Sequence, residues 1–286
     1  MDLTVEEAAA ELNKGFQTLE ILQKDPAVPV WFIYLNRPAQ RNALSLPFFS
    51  ELPRALALLD RIPSARALVL SARGPHFCSG IDLSSLKSIS SSSDDDRAAA
   101  AEELRRRILD LQSAITALER CRKPVVAAIQ GACIGGGVDL VAACDIRCCE
   151  DKAYFAVKEV DVGLVADLGT LQRLPKIVGF GNAMDLALTG RKVSAGEAKA
   201  MGLVSRVFAD PAKMDEGIFA LAKELAAKPA LALMGTKAVM MKSRDMAVEK
   251  GLDYVATWNA GMLRSRELEE AVLAKLQKRK PNFSKM

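Results

Sequence analysis

Apolar positions recur along this chain with two spacings, and the change from one to the other divides it. Short apolar runs at 16–23, 28–35, 67–71, 125–129, 145–149 and 154–157 predict strands. Between them lie stretches of helical period. At 46–61 the stripe is Leu52, Leu56 and Leu59, with Ser45 placed to cap it and Pro47 in the first turn. At 97–119 the stripe is Leu104, Ile108, Leu111, Ile115 and Leu118. A short helix at 138–143 follows a glycine turn. The run 84–96 is rich in Ser and Asp, which predicts a mobile surface loop.

From Gly169 on the pattern is helical, with candidates at 183–188, 195–201, 214–227, 231–242 and 246–263 and one strand at 205–208. Alternating strands and helices followed by helices alone predict an α/β core, over 1–210, and a helical C-terminal region, over 211–286.

Half of the 286 residues are hydrophobic, enough for a sizeable core. The net charge of +4 gives no footprint for nucleic acid. No apolar run is long enough to span a bilayer. Six cysteines follow no metal-ligand spacing, and Cys148 and Cys149, being adjacent, should point apart, so free thiols in a reducing compartment are expected. The first residues are acidic and lack arginine, which argues against a secretory signal or mitochondrial presequence. Ser284-Lys285-Met286 differs by one residue from the Ser-Lys-Leu peroxisomal address. On that basis we expect a peroxisomal location and an import receptor as partner.

Candidate chemistry gathers around two glycine-containing turns, each after an apolar run. One is Ser79-Gly80-Ile81-Asp82-Leu83 and the other Gly135-Gly136-Gly137. Glycines allow a close backbone approach, and a helix that starts there presents free N–H groups to a ligand. If the turns meet, one N–H from each can bind the same oxygen. Three carboxylates follow: Asp139, Glu159 and Asp167. Carboxylates aimed at such a place can move protons on a carbon acid while the N–H groups hold the enolate oxygen. A single acid of this kind is more often a surface charge or a cap, and a glycine triplet is equally a packing turn.

The chain resembles the enoyl-CoA hydratase/isomerase (crotonase) superfamily. The matching motifs are Asn36-Arg37-Pro38 with Asn42-Ala43-Leu44, the Ser79 turn, the Gly135 turn, Gly169-Thr170-Leu171-Gln172-Arg173-Leu174 and the stretch 198–204. They run from about Leu19 to the C-terminus and are most similar to the Δ3,5-Δ2,4-dienoyl-CoA isomerases across 134–145 and 157–175. The resemblance implies a spiral of β-β-α units with a C-terminal helical trimerisation region, and homotrimers or homohexamers. It implies an acyl-CoA substrate and no separate cofactor or metal. Its oxyanion and substrate-binding residues map to Ser79, Gly80, Ile81, Asp82, Leu83, Gly136 and Gly137, with the N–H of Ile81 and that of Gly136 or Gly137 as the donors. Its acids map to Asp139, Glu159 and Asp167.

Moving a 3,5-diene to a 2,4-diene removes a proton from C2 and delivers one to C6, too far apart for a single short carboxylate. Glu159 is therefore assigned to C2 and Asp167 to C6, with Asp139 tuning the pair or orienting substrate. Hydratases of the family carry Glu at the position of Asp139 and Gly at that of Asp167, so the two differences favour isomerisation. A hydratase, a Δ3,Δ2-enoyl-CoA isomerase and a non-catalytic acyl-CoA- or RNA-binding relative are the alternatives. His76, the sole histidine, is expected to be structural, and Asp82 a turn or cap residue. Lys87 and the cations Lys275, Lys278, Arg279 and Lys280 either meet phosphates of coenzyme A or form a solvated face.

Overall fold

A computed structural model describes residues 4–90 and 96–283. The chain opens with helix α1 (Val5–Asn13), strands β1 (Leu19–Leu22) and β2 (Val30–Leu35), helix α2 (Leu46–Arg61) and strand β3 (Ala67–Ala72). Helices α3 (Leu83–Ser90) and α4 (Arg97–Arg120) follow, then β4 (Val125–Ile129), β5 (Ala132–Ile134), α5 (Gly136–Ala142), β6 (Ile146–Glu150) and β7 (Tyr154–Ala156). After a 3-10 turn at Glu159–Val162 come α6 (Thr170–Val178), α7 (Phe180–Thr189), β8 (Val193–Ser194), α8 (Ala195–Ala200) and β9 (Arg206–Phe208). Helices α9 (Pro211–Ala226), α10 (Ala230–Ser243), α11 (Val248–Met262) and α12 (Arg266–Leu276) follow.

The strands form two sheets. The larger has the order β1-β2-β3-β4-β6-β9 and is parallel except for the β1–β2 pair. The smaller has the order β5-β7-β8. Consecutive strands β4 and β5, and again β6 and β7, enter different sheets before the chain turns into helix, which is the β-β-α repeat that the resemblance implies. Alternation along the larger sheet separates two cores. Ile33, Leu35, Leu68, Leu70, Val125 and Ala127 face α2 and α4, while Phe32, Tyr34, Val69, Val126 and Ala128 face Met214, Ile218, Leu221 and Ala222 of α9. Cys148 and Cys149 fall on opposite sides, and all six cysteines are free and buried. Helix α9, the start of the helical region read from the sequence, thus covers one face of the sheet. Helices α10 and α11 pack chiefly on each other.

Several elements differ from the sequence reading. The Ser/Asp-rich stretch does not begin as a loop, because Asp82 starts a helix there. Its carboxylate accepts from the Ser84 N–H and hydroxyl, its carbonyl accepts from the Leu86 N–H, and α3 runs to Ser90. Positions 91–95 of that stretch lie outside the described residues, as does Ser284-Lys285-Met286. Strand β5, helix α12 and helix α1 carry too short or too polar a pattern to be read from the sequence.

The candidate active site

The two glycine-containing turns meet through one strand-like contact. Cys78 bridges Cys133 of β5 in parallel register, so the turns leave side by side. Ile81 lies three residues past Cys78, and Gly136 three past Cys133. A second bridge pairs Ile81 with Leu44: the Leu44 N–H donates to the Gly80 carbonyl and the Asp82 N–H to the Leu44 carbonyl. That pattern uses the groups flanking Ile81, so its own N–H points the other way. Gly136 begins α5, where the first N–H of a helix has no intrahelical acceptor. A Cβ on Gly136 would stand 2.9 Å from Leu44 Cδ1 and 3.7 Å from the Ile81 nitrogen, so the two turns are in contact and a side chain there would push the tip of Leu44 aside.

Asn42 holds the first turn in place. It is buried, in the left-handed region at φ 55°, and its amide makes three bonds. Oδ1 accepts from the Arg37 N–H at 2.9 Å, and Nδ2 donates to the carbonyls of Arg73 and His76 at 2.8 Å each. The Asn36-Arg37-Pro38 and Asn42-Ala43-Leu44 motifs therefore brace the Ile81 segment. His76 Nδ1 accepts from the Ala132 N–H at 3.2 Å, joining the same two segments. Asp82 accepts from Arg37 Nη2 at 3.0 Å and serves its turn rather than the cavity.

A cavity of about 220 Å³ opens beside these turns. Ser79, Gly80, Ile81, Leu83, Gly135 and Gly136 form one end. Leu86 of α3 and Leu104, Ile108 and Leu111 of α4 give it an apolar lining, and Glu159, Val162, Leu164, Asp167 and Leu168 complete it. The stripe of α4 thus divides: its first half lines the cavity, and Ile115 and Leu118 enter the core. Asp82, Gly137 and Asp139 do not line it. Gly137 packs on Cys78, whose Cβ lies 2.9 Å from where a Cβ of Gly137 would be. Lys87 and the cations of the tail are also absent from its walls, and Arg279 is paired with Glu270 at 2.6 Å.

The three acids are neighbours in unlike surroundings. Glu159 Oε1 lies 3.2 Å from the Cβ position of Gly135, against the second glycine turn, and its Oε2 is buried without a hydrogen-bond partner. Desolvation, then the charge of Asp139 with a smaller addition from Asp167, pushes its carboxyl up to about 7. Asp167 stands more open on the same side, and desolvation raises it. Asp139 is 1% exposed. One oxygen accepts both the N–H and the hydroxyl of Thr170, at 2.6 and 2.7 Å, so Asp139 anchors the first residue of α6. Burial lifts it to about 6 against the lowering effect of those two bonds.

Behind the site lies a group of side chains of which the sequence motifs include only Arg173. Gln112 of α4 donates to the carbonyl of Asp167 at 2.7 Å. Arg173 Nη1 donates to the Leu168 carbonyl at 3.1 Å, while its Nη2 meets Thr116 and Glu119 at 3.0 Å. A glutamine beside an apolar stripe carries no signal that it meets a loop 55 residues away.

Residues 27–286 match the family model described as enoyl-CoA hydratase/isomerase. The chain is 56% identical over 275 residues to a peroxisomal Delta(3,5)-Delta(2,4)-dienoyl-CoA isomerase of Arabidopsis thaliana, covering 96% of this chain and 99% of that one. It is 46% identical over 252 residues to the mitochondrial Delta(3,5)-Delta(2,4)-dienoyl-CoA isomerase of Rattus norvegicus, covering 87% and 77%. Among solved structures, an enoyl-CoA hydratase of Bacillus anthracis superposes with a TM-score of 0.85 at 28% identity, over 94% of this chain and all of that one. By fold, motif order and sequence, the chain belongs to the enoyl-CoA hydratase/isomerase family.

Proposed function

We propose that this protein is an isomerase that converts 3,5-dienoyl-CoA to 2,4-dienoyl-CoA in fatty acid β-oxidation. The observation that carries the reading is that Glu159 and Asp167 line the same cavity as the two glycine-containing turns, with Glu159 against Gly135 of the second. The relatives' names agree with it. The thioester oxygen sits between the N–H groups of Ile81 and Gly136, and the dienyl chain lies along Leu104, Ile108 and Leu111. Glu159 takes the C2 proton, and the electron pair spreads through the diene onto the oxygen. Asp167 then gives a proton to C6, leaving double bonds at C2 and C4. One proton is taken up and one released, so the pair is reset by passing a proton back through solvent. Coenzyme A enters as part of the substrate. We propose no other cofactor, since each step is a proton transfer assisted by N–H donors.

The working state needs a proton on Asp167 and none on Glu159. Of the two, Glu159 is the more strongly raised by its surroundings in the protein. An apolar acyl chain laid over the more open Asp167 removes its water and moves the proton toward it.

We also propose that the chain assembles as a homotrimer or homohexamer through its C-terminal helices. Val248, Leu252, Leu263 and Leu276 are large, apolar and exposed there. A peroxisomal location is our reading of the tail Ser284-Lys285-Met286. The relative in Arabidopsis thaliana is peroxisomal and that in Rattus norvegicus mitochondrial. A fluorescent protein carrying the tail should concentrate in peroxisomes, and a cytosolic signal would remove this part.

The deciding assay is ultraviolet absorbance with 3,5-octadienoyl-CoA, with crotonyl-CoA as the hydratase control. Rapid growth of the conjugated 2,4-diene band with little hydration is expected, and Asp167→Asn should nearly abolish it while acyl-CoA binding persists. Hydration of crotonyl-CoA without a diene band would overturn the reading in favour of a hydratase.

A further inference from the structure

The turn that carries Asp167 is held at successive backbone groups by side chains from three helices. Gln112 of α4 takes the carbonyl of Asp167, Arg173 of α6 the carbonyl of Leu168, and Asp139 of α5 the N–H of Thr170. Between them Gly169 adopts φ +124°, and a Cβ there would fall 1.7 Å from Arg173 Nη1, so the guanidinium lies directly under the turn. Arg173 is itself fixed by Glu119 of α4 at 3.0 Å, both side chains being 9% exposed. Of these clamps, Gln112 alone bonds the residue that bears the acid. It also follows Leu111, the last cavity-lining residue of α4.

We propose that Gln112 is a positioning residue for Asp167, tying the helix that walls the acyl chain to the carboxyl that serves its far end. The inference rests on the dienoyl isomerase reading above. Gln112 touches no reacting atom and acts only through the Asp167 carbonyl. A donor at 2.7 Å restrains the peptide plane that leaves the Asp167 Cα, and with it the direction of that residue's own Cα–Cβ bond; misplacing a proton donor by about 1 Å costs up to about 100-fold in rate. The proton at C2 is handled by Glu159, which Gln112 does not contact, so the two halves of the reaction should separate.

The test compares wild type, Gln112→Leu, Gln112→Glu and Asp167→Asn with 3,5-octadienoyl-CoA in D₂O. Product is followed by absorbance and C2 deuterium in recovered substrate by mass spectrometry. Gln112→Leu should lower kcat about 10- to 100-fold with KM changed less than about twofold. Its ratio of C2 deuterium to product should rise toward that of Asp167→Asn, because a dienolate not protonated at C6 returns to substrate. Gln112→Glu should approach wild type only at low pH, where the introduced carboxyl is neutral and can donate, and lose activity as it ionises. Unchanged kcat in Gln112→Leu would overturn the proposal. So would a lower kcat with the deuterium ratio unmoved, which marks a general disturbance of the pocket. Wild type that forms no 2,4-diene would instead overturn the isomerase reading itself, and a fully active Asp167→Asn would overturn the role of Asp167.

Discussion

A carboxylate buried as deeply as Asp139 must repay its lost hydration, and here two bonds from Thr170 do so only in part. Its folded pKa of about 6 lies above the ordinary value of 3.8, so the folded state binds the proton more tightly than the unfolded state. The cost is therefore full above about pH 6, shrinks as pH falls, and is gone below about pH 4. Asp139→Asn keeps an acceptor for Thr170 and removes the charge. In urea titrations the variant should be more stable than wild type at pH 7, by on the order of 1–3 kcal/mol, with the gap closing toward pH 4. The same charge bears on catalysis because it helps to raise Glu159. In the proposed mechanism the pair holds one proton between Glu159 and Asp167, and with Glu159 raised to about 7 that proton is lost as pH rises through about 7. The kcat/KM of the free enzyme should fall above that pH, and Asp139→Asn should move the falling limb to lower pH. A limb unmoved by the substitution would mean that Asp139 does not tune the pair.

At the scale of elements, the site depends on a short bridge more than on any long strand. Leu44 pairs with Ile81, and Asn42 braces that bridge by tying three backbone groups with one amide. Each of those bonds contributes about 0.5–1.5 kcal/mol net, and Asn42 is 3% exposed, so truncation also leaves three half-buried backbone groups without that partner. Asn42→Ala should cost roughly 2–4 kcal/mol by thermal or urea melt. It should also slow turnover more than it weakens acyl-CoA binding, since the Ile81 donor moves; a variant of wild-type stability would show that water replaces the amide. The sequence displayed Asn42 and Leu44 as a motif without displaying their partners. It was legible where pattern and structure share a period: 46–61 and 125–129 match α2 and β4 residue for residue. It was illegible at β5, three residues between two glycine turns, and at α3, where Asp82 starts a helix in a serine-rich run. Gln112 was hidden for a further reason: its importance lies in a contact across the fold, and composition along α4 does not encode that partner.

For the whole molecule, function concentrates where the parallel strands end. Cys78, Cys133 and Phe155 stand in register across the smaller layer, and Ile81, Gly136 and Glu159 follow each of them within a few residues. The repeat thus brings two backbone turns and the Glu159 carboxyl to one place, where we propose they act as oxyanion donors and base, and Asp167 is added by the next loop. The C-terminal helices have no such role in the described chain. Their exposed apolar residues instead suit contact with further copies: Val248 and Leu252 lie one turn apart on α11 and are 79% and 63% exposed. Two large aliphatic side chains on one exposed face are stable in solution if another surface covers them. Sedimentation at micromolar concentration should accordingly give the mass of three or six copies. Leu252→Glu should shift that mass toward the monomer, because a charge buried without a partner at a subunit contact costs several kcal/mol. If the variant keeps the wild-type mass, Leu252 lies outside the contact. If wild type itself sediments as a monomer, these helices do not assemble the protein.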